Sequence, residues 1–405
     1  MSDHQGKGPL SGVKVIDFST LLPGPYATTM LVDLGAEVTR IESPKHPDFI
    51  RALTPHINGQ SVTHLGLNRG KRSVAIDLKR PEGVDIAREL IANADILVEQ
   101  FRPGVMARLG LDYESLSERS PQIIYCSITG YGQSGPLAQR AGHDINYLAL
   151  SGVSSYSGRF GEGPRLAGTQ VADIAGGSQP AVIAILAALY ERMRSGRGRW
   201  LDISMSDGTL ALNALTASAA AHHQESPTLG GEVLNSGTLY DYYSTSDGRF
   251  LAVGSLEPKF AARFFEVIGH PEWLSEALTP PATQRALKSK VQALISERSL
   301  DEWRERFESV DCCVEPVLTL CEALNHPHVQ ARGLVKSAKS EDGTEVAYIV
   351  TPVSLSFSHN HDHDQDQERP MSLGQRLGSD CDEVLSELGL SASEIDRLRT
   401  IGVIR

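Results

Sequence analysis

The sequence predicts an α/β fold: a large, doubly wound domain on a mostly parallel sheet, joined to a smaller α+β domain. Three observations predict it. Short apolar runs alternate with helical patterns through the first 130 residues or so, which is how βαβ units read. The chain has 405 residues, enough for two domains. From Leu239 onward the pattern changes to a strand pair followed by helices.

Taken in order, Val13 to Phe18 reads as a strand and Pro25 to Leu34 as a helix closed by Gly35. Glu37 to Glu42 is the next strand, followed by strands at Ser73 to Leu78 and Ala94 to Phe101 with a helix over Pro81 to Ala92 between them. Ile123 to Thr129 continues the series. An apolar helix through Ala181 to Leu189 ends near Arg194, a glycine-rich turn follows, and Trp200 to Met205 forms another strand. Thr209 to Ala221 reads as one Ala-rich helix. The domains are therefore placed at residues 1–221, 222–330 and 331–405, the last returning to complete the first. Asp247-Gly248 marks the hairpin turn of the small domain. The His- and Asp-rich tract at 359–368 reads as a disordered, solvated loop. Ser391, three residues before Glu394, marks a capped terminal helix.

Composition removes several classes of function. Hydrophobic residues make up 40% and charged residues 22% of the chain, a balance that supports a sizeable core. A net charge of −12 argues against broad nucleic-acid binding and against an anionic membrane surface, so an anionic ligand needs a local basic pocket. Met1 to Leu10 lacks the apolar centre of a signal peptide. The helix from Ala181 reads as too short for a membrane span and ends in Glu191-Arg192. The five cysteines lack metal-ligand spacing and fit a reducing, cytoplasmic setting, with Cys126 a buried thiol in a strand. No metal site is expected.

The candidate chemistry lies in two polar segments. His143 sits within Gly142-His143-Asp144-Ile145-Asn146-Tyr147, and Asp173 opens the most apolar helix of the chain. A histidine and a carboxylate facing one substrate are what two-base proton transfer requires. A carboxylate at a helix N-terminus is expected to be held in its anionic form. The bland alternative is that His143 caps a turn and Asp173 caps its helix. A dinucleotide site is not expected. The first strand is followed by Ser19-Thr20-Leu21-Leu22-Pro23-Gly24-Pro25-Tyr26, without the G-x-G-x-x-G cradle of a Rossmann pyrophosphate site.

Several segments together carry a resemblance: Gly12 to Phe18, Pro23-Gly24-Pro25-Tyr26-Ala27, Leu34 to Glu42, Phe101-Arg102-Pro103-Gly104-Val105, and Thr129 to Pro136. On these the chain resembles the class III CoA-transferase superfamily, CaiB/BaiF, and within it the α-methylacyl-CoA racemases. The resemblance implies an acyl-CoA thioester substrate, no separate cofactor, and an interlocked homodimer in which one subunit's small domain closes the other's site. It makes Asp173 and His143 the paired bases, with Glu257 holding His143; Asp144 is an alternative for that task. It places CoA against Arg40, Lys79, Arg102 and Arg108, together with Ile76, Asp77, Leu78, Gln100, Phe101, Gly142, Asp144, Ile145, Asn146 and Tyr147. Ile174-Ala175-Gly176-Gly177 stands where many racemases carry Phe-Gly-Gly-Gly.

The expected activity is racemisation of 2-methylacyl-CoA at the α-carbon. The alternative is a CoA-transferase in which Asp173 is the nucleophile and passes through an aspartyl-CoA intermediate. A third reading is a non-catalytic acyl-CoA-binding protein.

Overall fold

The computed structural model describes residues 8–340, 342–358 and 371–405, so the tract at 359–368 lies outside the described residues. The chain divides into two units. The first comprises residues 1–147, 169–211 and 327–405, and the second 148–168 and 212–326.

In the first unit, β1 (Lys14–Asp17), α1 (Pro23–Asp33), β2 (Glu37–Glu42), β3 (Lys71–Ala75), α2 (Pro81–Ala92), β4 (Ile96–Glu99) and β5 (Ile124–Thr129) follow in turn. Then come α3 (Asp144–Leu150), α4 (Gln179–Ser195), β6 (Trp200–Ser204) and α5 (Met205–Ala211). The six strands form one sheet in the order β3-β2-β1-β4-β5-β6, and every pair is parallel. The order reverses direction between β1 and β4, the position at which doubly wound sheets bind ligands beyond their carboxyl ends.

The first five strands are buried on both faces over most of their length, which is why they read as apolar runs, whereas the edge strand β6 leaves Trp200 and Asp202 exposed. On one face Ile86, Ala87, Leu90 and Ile91 of α2 pack with Val384, Leu385, Ile395 and Leu398 of the C-terminal helices. On the other, α1 and α4 lie against the sheet. Pro23 and Pro81 start α1 and α2 where a helix has no use for the missing N–H.

Three expectations shift. The strand predicted at 73–78 runs from Lys71 to Ala75, because Ile76 leaves the parallel ladder to pair antiparallel with Ile404. The helix predicted over 209–221 is broken into Met205–Ala211 and Ala217–His223. Asn213 sits in the break: its carbonyl takes the Ala217 N–H at 2.8 Å, and its side chain bonds the Tyr156 hydroxyl at 2.5 Å and the Ser151 carbonyl at 3.1 Å. These contacts put residues 148–168 in the second unit, whereas the sequence reading leaves them in the large domain and places the crossing at 222.

The helix predicted from Ala181 begins nine residues earlier. Ala172–Ser178 is wound wide, as a π-helix, and continues directly into α4. The joined helix, Ala172–Ser195, is long and apolar enough by length and composition to cross a membrane, contrary to the sequence reading. Here it lies along the sheet, with Arg192 ion-paired to Asp95 at 2.9 Å. Its wide turns touch α5 backbone to backbone. A Cβ on Gly208 would lie 2.1 Å from the Gly176 carbonyl oxygen, and one on Gly176 would lie 2.5 Å from the Thr209 hydroxyl. Gly208→Ala is therefore expected to cost about 1–3 kcal/mol, read as a lowered urea midpoint. Gly168→Ala, whose Cβ meets nothing within 4 Å, is the control. Equal midpoints for the two variants would refute this tight contact.

The second unit carries an antiparallel sheet of β7 (Asp241–Ser244), β8 (Phe250–Val253) and β9 (Val314–Pro316), in the order β9-β8-β7. The expected hairpin turn is present, with Gly248 at φ 73°. Helices Pro258–Ile268, Arg285–Ile295 and Leu300–Phe307 close over Phe264, Phe265 and Trp303.

Candidate active site

The carboxyl edge of the large sheet gathers most of the residues singled out from sequence. Arg40 lies within β2, two residues before its end, while Ile76 to Lys79 follow β3 and Gln100 to Arg102 follow β4. The turn carrying Asp173 reaches the same edge, since the Ser178 hydroxyl donates to the Pro23 carbonyl at 2.6 Å where α1 begins.

Two glycines and two tyrosines shape the approach to the polar segment. Tyr131 and Tyr147 meet edge to face at 5.2 Å. A Cβ on Gly130 would lie 2.5 Å from the Tyr147 hydroxyl, and one on Gly142 would lie 2.7 Å from its ring. Only glycine lets the chain pass this close to the ring pair at both positions. Gly130 and Tyr131 enter the sequence reading only within the Thr129 to Pro136 segment that carries the resemblance and not as site residues, although Gly-Tyr-Gly after β5 is the visible signal.

His143 is exposed just ahead of α3. Its N–H donates to Asn146 Oδ1 at 3.0 Å, and its carbonyl accepts the Asn146 N–H at 2.8 Å, so its backbone is held from both sides. Asp173 is half-buried at the start of the long helix. Burial, and then the neighbouring Asp144 carboxylate, push its carboxyl up to about 6, while His143 pulls the other way. This reverses the expectation that the helix N-terminus would favour the anion. The physical reason is first the burial of the carboxyl, and then that the first amides of the helix are already occupied: Asp144 Oδ1 accepts the N–H of Ala172 at 2.6 Å and of Asp173 at 3.2 Å. Asp144 thus faces the Asp173 turn, and these are its bonds in place of the expected one to the His143 ring. Tyr147 is buried beside the pair, and burial followed by the Asp173 charge lifts its hydroxyl to about 12.

The predicted CoA contacts divide by exposure. Lys79, Arg102 and Arg108 are exposed cations at the sheet edge. Arg40 is fully buried, with its guanidinium on Asp48 and 3.8 Å from Glu42, so it braces the loop behind the edge and presents no surface charge. Ile76 is core, and Asp77 holds Lys45 at 2.8 Å. Leu78, Gln100 and Phe101 are half-buried, while Ile145 and Asn146 are exposed on the first turn of α3. Glu257 belongs to the second unit, where it is exposed at the start of the Pro258–Ile268 helix.

The switch point between β1 and β4 is filled by the protein itself. Gln100 Oε1 accepts the Gly24 N–H at 3.0 Å, and Asp48 accepts the Leu21 N–H at 2.8 Å. Asp17 takes the Ser19 N–H at 2.8 Å and the Thr28 hydroxyl at 2.6 Å. The amides that cradle a pyrophosphate in a dinucleotide fold are committed here to side chains.

Asp173, with His143 near enough to act on its charge, thus stands at the carboxyl edge of a doubly wound sheet, where such folds bind ligands. The family model for CoA-transferase family III matches residues 10–372, and the chain belongs to that family. It is 36% identical over 396 residues to an α-methylacyl-CoA racemase of Mus musculus, covering 98% of this chain and 97% of that protein. It is also 36% identical over 339 residues to an acetyl-CoA:oxalate CoA-transferase of Acetobacter aceti, covering 82% of this chain and 86% of the relative. A solved CAIB/BAIF family protein from Brucella suis matches with a TM-score of 0.80 at 29% identity, covering 94% of this chain and 99% of that one.

Proposed function

We propose that the protein is an acyl-CoA racemase, interconverting the (2R) and (2S) epimers of 2-methylacyl-CoA by two-base proton transfer. The observation that carries this reading is the pairing of His143 with an Asp173 whose carboxyl, at about 6, both holds and releases a proton near neutrality. The neutral imidazole of His143 takes the α-proton from one face of the thioester. The electron pair left behind delocalises into the thioester carbonyl, giving an enolate. Protonated Asp173 then delivers its proton to the opposite face, restoring the C–H bond and leaving a carboxylate facing an imidazolium. The reverse reaction runs from that state.

The enolate oxygen needs hydrogen-bond donors. The amides of Ala172 and Asp173, at the helix start that would otherwise offer them, are taken by Asp144. Lys79, Arg102 and Arg108 receive the CoA phosphates, with no metal or redox cofactor in the cycle. In a homodimer, Glu257 of the partner subunit holds the His143 ring. The apolar side chains of Ile183, Tyr190 and Met193, exposed along α4, suit a subunit interface. The expected location is the cytoplasm.

A second reading has its own support, since transferases stand among the relatives at the same 36% identity. There the Asp173 carboxylate attacks the thioester and expels the CoA thiolate. The thiolate then attacks the aspartyl carbonyl of the mixed anhydride, giving aspartyl-CoA and releasing the donor acid as its carboxylate. An acceptor carboxylate takes CoA by the same steps in reverse. Incubating a 2-methylacyl-CoA with the protein in D₂O separates the two. Deuterium at C2 with loss of optical purity is expected. Movement of CoA to an added free acid, with no deuterium at C2, would establish the transferase instead.

A further inference from the structure

We infer that Asp144 is a positioning residue: its carboxylate clamps the start of the Asp173 helix to the start of α3 and sets a fixed negative charge beside Asp173. The inference rests on the proton-transfer reading above and adds the group that holds its two partners at working distance. Asp144 follows His143 directly in the chain, and its Oδ1 reaches two successive amides 28 and 29 residues further on. A helix start leaves such amides without internal acceptors, and a capping side chain from outside the helix supplies one. The base is therefore tied, through one residue of backbone, to the backbone of the acid itself. Asn146, bonded to the His143 N–H at 3.0 Å, prevents that short link from swinging.

The charge of the clamp acts as well as its geometry. A carboxylate seated on the first amides cancels the positive end of the helix that Asp173 would otherwise feel. It also repels the Asp173 anion, in the direction seen for that carboxyl. The groups facing Asp173 are Asp144 and His143, with Tyr147 beside it and Tyr131 behind Tyr147. Elements packed on the turn add Tyr26 and Asp33 on α1, Asp202 on β6 and Asp207 on α5. Of these, Asp33 is paired with Arg69 at 2.5 Å, and Asp202 accepts the Gln133 N–H at 3.0 Å. Asp144 is the carboxylate bonded to the turn itself.

Asparagine at this position keeps an acceptor for the two amides and removes the charge; alanine removes both. Exchange of the α-hydrogen of a 2-methylacyl-CoA in D₂O, followed from pH 4.5 to 9, reads the two effects separately. Asp144→Asn is expected to keep most of the rate at its optimum and to move the acid limb of the profile down by roughly one pH unit. Asp144→Ala is expected to lose about tenfold or more at every pH, since small misplacements of reacting groups are costly. An Asp144→Asn acid limb that coincides with the wild-type limb would overturn the inference, as would full activity in a folded Asp144→Ala. Absence of exchange in the wild-type protein would instead reject the proton-transfer reading on which it rests. If the alanine variant does not fold, the asparagine profile decides alone.

Discussion

Replacing His143 with alanine is expected to reduce α-deuterium exchange by about 10²- to 10⁴-fold, the usual contribution of a positioned general base. The side chain is exposed, so the melting temperature should move little, surface replacements away from such networks costing within about 0.5 kcal/mol. The neighbouring backbone contacts of His143, made through its N–H and carbonyl, survive the change. A loss of rate without a loss of stability therefore assigns the deficit to the imidazole. Retention of exchange would remove His143 from the mechanism. Retention of CoA transfer with exchange absent in both proteins would point to Asp173 working alone.

Asp173→Asn is expected to combine near-complete loss of activity with a gain in stability. The amide matches the carboxyl in shape but neither accepts nor delivers the proton, so exchange should fall by about 10³-fold or more. The gain follows from the raised carboxyl. In the folded protein it titrates at about 6, above its ordinary 3.8, so the native state holds the proton more tightly than the unfolded chain. The stabilisation this gives is complete below pH ~4 and disappears as pH rises through about 6. Above that, the charged form sits half-buried beside Asp144 at a cost on the order of 1–2 kcal/mol after solvent screening. Asparagine lacks that cost. Melting curves should show Asp173→Asn above wild type at pH 8 and level with it at pH 3.5. A difference that does not change with pH would mean that the Asp173 charge is not strained.

The large sheet was legible because its inner strands are buried on both faces and separated by helices with clear ends, a start at Pro81 and a stop at Gly35. Asp173 and His143 were legible as candidates because polar residues interrupt otherwise apolar or glycine-rich stretches. What escaped depends on partners distant in sequence. Nothing near Ile76 announces that it pairs with Ile404. The break at Asn213 comes from Tyr156 and Ser151, some sixty residues earlier. Arg40 looks like any strand-end cation until Asp48 is folded onto it. The charge preference of Asp173 was misread for the same reason. The helix dipole is a local property, whereas the carboxylate that occupies the helix start arrives from Asp144. Burial and a like-charged neighbour outweigh the dipole once both are present.

The division of the first unit into three stretches of chain bears on how the protein comes to fold during synthesis. Leu385, Ile395, Leu398, Val403 and Ile404 fill one face of a sheet whose strands were completed by residue 204. Until that stretch has been made, Ile86, Leu90 and Val74 lack these core partners. The 212–326 stretch meanwhile brings its own core of Phe264, Phe265 and Trp303. The unit begun first is thus the one finished last, with its apolar face open for the time it takes to make some two hundred residues. Chaperone dependence and losses to aggregation on rapid expression should accordingly fall on this interval, and slower translation after β6 should relieve neither.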